Sequence, residues 1–83
     1  MPDGERTNLR ILGRGEEALA AYDRLLARQP QSPEARRGKA RMLVRLGRPA
    51  EALPLYERLL ARAPEDADLA REHAEALRAV EAR

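Results

Sequence analysis

Ala18, Leu19, Tyr22, Leu25 and Leu26 are separated by one, three, three and one residues, with charged side chains filling most of the gaps. That spacing puts them on one face of a helix with a period of about 3.6 residues. Ala52, Leu53, Tyr56, Leu59 and Leu60 write the same face 34 residues later. Aligned over their whole length, residues 13–46 and 47–80 share fifteen identities in 34 positions, most of them apolar or punctuating. A pattern that returns at this period is one supersecondary unit made twice.

Punctuation divides the chain into helices. Pro30 and Pro64 follow the repeated stripe and block its continuation, while Gly13 and Gly47 stand where a preceding helix needs a residue of positive φ to end. The segments predicted are a short helix at 5–12, then helices at 15–28, 33–46, 49–62 and 66–81. No segment alternates as a strand does. Residues 33–46 carry Ala35, Ala40, Met42, Leu43 and Leu46, and residues 66–81 carry Leu69, Ala70, Ala74, Leu77 and Val80. The connections are short, so consecutive helices are antiparallel neighbours and the fold class is all-α, built of stacked helical hairpins. Pro54 lies a full turn inside its helix and is expected to kink or loosen it. Pro2, Asp3 and Gly4 read as a turn, and Leu9, Ile11 and Leu12 are the only apolar contacts of a first helix expected to fray. Ser32 reads as a helix N-terminal residue.

With these residues in place, the chain resembles the tetratricopeptide repeat family. Ala18, Tyr22 and Pro30, and again Ala52, Tyr56 and Pro64, match the family's second helix; Ala40 and Ala74 match the small residue of its first helix, and Gly13 and Gly47 the glycine between them. The resemblance covers residues 5–82. It implies a short right-handed superhelix in a single domain, residues 1–83, with a partly truncated first repeat at 5–30, a second at 33–64 and a capping helix at 66–82. The departures are Arg36 and Ala70 in place of an early aromatic, Lys39 and His73 in place of a leucine, and Gly15 and Pro49 in place of the aromatic that opens the second helix.

The resemblance further implies protein recognition in a concave groove lined by the first helix of each hairpin. The matching positions are Glu34, Arg37, Arg41, Val44 and Arg45, flanked by Thr7, Arg10 and Ile11 on one side and by Asp68, Arg71, Glu75 and Arg78 on the other. The expected partner-binding set is therefore Arg10, Glu34, Arg37, Arg41, Arg45, Arg71 and Arg78. Charge is segregated along the chain: residues 33–46 hold five cations against one anion, and residues 65–83 hold six anions against three cations. Arginine forks take carboxylates in bidentate fashion, which points to an acidic peptide or a C-terminal carboxylate as ligand. The plainer reading is a solvated face balanced by Glu72 and Glu75. Some chaperone-binding members clamp a terminal carboxylate, and Asp68 and Glu72 oppose that here.

Composition removes other classes. The 83 residues contain no cysteine, so neither disulfides nor a cysteine-bearing zinc site can support the small core, and no cofactor is expected. Sixteen basic and fourteen acidic residues leave a formal charge of +2, and the only aromatics, Tyr22 and Tyr56, sit at packing positions, so nucleic acid finds no stacking platform. The only histidine, His73, falls at a packing position and the only serine in a turn, which argues against catalysis. No apolar run reaches the length that spans a bilayer or forms a secretory leader, so the expected compartment is cytoplasmic. Fifteen arginines beside a single lysine suggest bacterial, GC-rich coding. Two units and a cap lie near the lower limit for a stable array, which makes self-assembly into a homodimer or higher oligomer through the repeat ends the alternative function.

Overall fold

The computed structural model describes residues 3–82, with side chains from Arg14 onward. Among these residues are four helices and no strand: α1 (Asp3–Arg28), α2 (Pro33–Arg45), α3 (Pro49–Arg62) and α4 (Ala67–Glu81). Each packs against the next, α1 on α2, α2 on α3 and α3 on α4, the expected all-α stack of antiparallel hairpins.

The α2–α3 junction is fixed by two residues acting together. Gly47 takes φ 79°, its N–H bonds the carbonyl of Val44, and the N–H of Arg48 bonds that of Leu43, so the last carbonyls of α2 are satisfied by a Schellman turn. Pro49 then opens α3, where its missing N–H costs nothing, and it forces Arg48 out of the helical region. The other two loops are closed by caps in repeat register. Ser32 Oγ accepts the N–H of Ala35, and 34 residues later Asp66 Oδ1 accepts that of Leu69.

One expected junction is absent. Instead of separate helices at 5–12 and 15–28, α1 runs unbroken through Gly13. The reason lies at the position matching Pro49, which in this copy is Gly15. Glycine in a helix interior costs about 1 kcal/mol, whereas proline costs about 3 kcal/mol and disfavours the helical region for the residue before it. Gly15 has a packing role instead: Leu46 lies directly over its Cα, in space that a Cβ would fill. The side chains of Leu9, Ile11 and Leu12 lie outside the described residues.

The core is one cluster comprising Leu19, Ala40, Leu43, Ala52, Tyr56, Leu59, Leu69 and Ala76. Ala40, Ala52 and Ala76 are wholly buried, which lets the helix axes approach closely. Ala74, the repeat mate of Ala40, is exposed, and Ala76 takes the buried place in α4. Three of the departures from the family pattern make contacts of their own. Arg36 is only 8% exposed and donates through Nη2 to the carbonyl of Pro30 at 2.8 Å, tying α2 to the loop before it. Lys39 reaches Asp23 of α1 at 2.7 Å, and His73 packs its ring against that of Tyr56.

Pro54 is exposed and lies within an otherwise continuous α3. Its substitution by alanine restores the missing backbone donor without disturbing the core. Pro54→Ala is expected to raise stability by about 1–3 kcal/mol, read as a higher midpoint in thermal or denaturant unfolding.

Candidate functional site

The residues that face one another across the stack between α2 and α4 are set by helical spacing. Arg37, Arg41 and Arg45 recur every four residues along α2, and Glu72 and Glu75 sit three apart on α4. Between them opens a cleft of about 460 Å³, bordered by Arg41, Val44 and Arg45 from α2, Tyr56 from α3, and Arg71, Glu72 and Glu75 from α4.

Glu72 is the centre of this surface. Its Oε2 accepts from Arg37 Nη2 at 2.6 Å and from Arg41 Nη2 at 2.7 Å, and its Oε1 accepts from Arg41 Nε at 3.1 Å and from the Tyr56 hydroxyl at 3.2 Å. Four bonds fill the acceptor capacity of one carboxylate, and the Arg41 contact is bidentate. Burial pushes the Glu72 carboxyl up, but the hydrogen bonds from Arg41 and Arg37, with the positive charge behind them, outweigh it and bring the group down to about 2. The same bonds raise both guanidinium values, so the pair of cations stays charged. Tyr56 is pushed up to about 12, chiefly by burial and then by the Glu72 charge, and it remains a donor throughout.

The expected binding residues divide between places. Arg41, Arg45 and Arg71 are brought together on the cleft. Arg37 joins them through Glu72 but also borders a second, more apolar cleft of about 320 Å³, shared with Glu34 and floored by Leu59, Ala63 and Leu69. Arg71 is also paired along its own helix with Asp68 at 2.8 Å. Arg78 is exposed on α4 beyond both clefts. Arg10, with Thr7 and Ile11, lies outside the described side chains. The tie between Tyr56 and Glu72 is not visible in the sequence. Its only trace there is that Glu72 is the repeat mate of Gly38, and Tyr56 that of Tyr22. Gly38 leaves room for the ring of Tyr22 to lie against its Cα, whereas Glu72 meets Tyr56 with a hydrogen bond.

No group of His, Cys, Asp and Glu among the described residues could hold a metal ion, and no described helix is long and apolar enough to cross a membrane. A family model described as tetratricopeptide repeat matches residues 9–67. The chain belongs to the tetratricopeptide repeat family. Repeats of this kind are in general non-catalytic scaffolds, and membership implies a protein–protein interaction module. No curated protein and no solved structure matches it.

Glu72 has a folded value of about 2, below the ordinary 4.5, so its contribution to stability is fully present above the ordinary value and is lost as pH falls from there towards 2. Glu72→Gln is expected to cost about 2 kcal/mol at neutral pH, because two guanidiniums lose their counter-charge. The gap between wild type and variant should close in acid, where Glu72 is neutral too, as read by denaturant titrations across that range.

Proposed function

We propose that the cleft between α2 and α4 binds an extended, acidic segment of a partner protein. The observation that carries this reading is the Arg37–Glu72–Arg41 cluster, in which one carboxylate is shared by two guanidiniums, leaving a surplus positive charge held in place on the groove wall. Arg45, one turn further along α2, adds a second cation at the solvent edge. Cations already fixed by hydrogen bonds lose little side-chain entropy when a ligand arrives. Val44 and the ring of Tyr56 supply apolar surface between them. Arg71 extends the proposed surface on α4. The bidentate face of Arg41 is already occupied by Glu72, which favours acidic side chains along a segment over a clamp for a free terminal carboxylate. A bacterial, cytoplasmic setting fits the composition.

Self-association through the repeat ends is a second reading. It is favoured by Leu25 on α1 and Leu77 on α4, which are exposed where an amphipathic helix would bury them.

Arg45 separates the groove reading from a merely structural arginine face, since it is exposed and outside the Glu72 cluster. With a fluorescent peptide of alternating Asp and Glu as probe, anisotropy should show binding that weakens with salt. Arg45→Glu should reduce affinity about tenfold or more with an unchanged unfolding midpoint. Equal affinity in wild type and variant would remove the groove reading.

A further inference from the structure

The two large apolar side chains exposed on the described surface are repeat mates of two core residues. Leu77 is 39% exposed and its mate Leu43 is 2% exposed; Leu25 is 46% exposed and its mate Leu59 is 4% exposed. The correspondence extends along each helix. In the central hairpin, α2 presents Arg36, Ala40 and Leu43, and α3 presents Ala52, Tyr56 and Leu59, all six buried. Their mates on α4, Ala70, Ala74 and Leu77, are spaced four and three apart on one helix face, and all three are exposed. Their mates on α1, Ala18, Tyr22 and Leu25, are each less buried than the α3 residues they copy.

The physical cause is the same at both sites. α2 is packed by α1 on one side and by α3 on the other, whereas α4 is packed by α3 and meets α2 of its own copy at Glu72, with no described helix on its Ala70, Ala74 and Leu77 face. α1, running straight through Gly13, does not fold its first half back over Leu25. Thus α4 presents the stripe of a first helix without its second, and α1 presents the stripe of a second helix without its first. A polar outer face would be needed to end such an array, and Ala70, Ala74 and Leu77 do not provide one.

We propose that copies of this chain stack head to tail, with α4 of one copy docking on α1 of the next in the manner in which α2 docks on α3. This rests on the self-association reading and gives it two faces and a register. The occupant of each face is the other face of a second copy, because the two stripes are copies of a pair already seen to fit. Charge agrees: in the stack α4 comes beside α2 of the next copy, and leaving aside Glu72, Arg37 and Arg41, which are engaged with one another within each copy, α4 carries three anions against two cations and α2 three cations against one anion. The contact is heterologous, so it adds copies without closing at a dimer.

Light scattering behind gel filtration tests this with wild type and two single variants, Leu25→Glu and Leu77→Glu. Both residues are exposed in the single copy, and circular dichroism checks that each variant folds. Wild-type mass should rise with concentration past the dimer. Each variant alone should be monomeric, having lost one of the two faces every contact needs. An equal mixture should form a dimer and nothing larger, through the intact face of each. Wild type that stays monomeric at every concentration would overturn both the stacking and the self-association reading. Association that survives in either variant alone, or a mixture that stays monomeric, would overturn the stacking while leaving self-association by another face standing.

Discussion

Every helix of this protein carries an apolar stripe that it cannot bury by itself, and the only surface shaped to cover it lies on a helix next to it in the stack. In α2 that requirement is met twice, by α1 through Lys39 and Asp23 at its edge and by α3 through the cluster around Leu43 and Tyr56. The alanines at 40, 52 and 76 set how near the helices come, and burial then follows from the number of neighbours. The same side chain is core at one repeat and surface at the next. Leu43 and Leu77 differ in nothing but what lies beside them.

Copying a unit keeps the scaffold while freeing some positions for other chemistry. Gly38 and Glu72 occupy one place in two successive first helices, each facing a tyrosine from the helix of the preceding hairpin. At the first, the absence of a side chain allows close packing. At the second, a carboxylate gathers Tyr56, Arg37 and Arg41 and links three helices through four hydrogen bonds. This node decides how much of the arginine stripe on α2 is available to a partner, because Arg37 and Arg41 are held by it and Arg45 is not.

Proline and glycine were not equally readable. Pro49 removes a donor and disfavours the helical region for its neighbour, and Gly47 two residues earlier takes the positive φ that closes α2, so that junction follows from the two residues together. Gly13 only makes an ending affordable, and with glycine at position 15 nothing compels it, so α1 continues. Arg36 was equally opaque, since a charged residue in place of an aromatic reads as weakened packing until the carbonyl of Pro30 is found within its reach.

Periodicity, punctuation and the 34-residue copy thus determined the helical content, the order of the helices from residue 15 onward, the N-terminal place of Ser32, and the face each helix would seek to bury. These are local properties, set by dihedral preference and by the projection of side chains around one axis. Which stripe found a cover, which arginine found a carboxylate, and whether Ala74 or Ala76 faced the core depended on how neighbouring axes lie, and only the tertiary structure decided them. The reason is that burial and ion pairing are relations between helices, and a helix that lacks a neighbour is written in the same residues as one that has it.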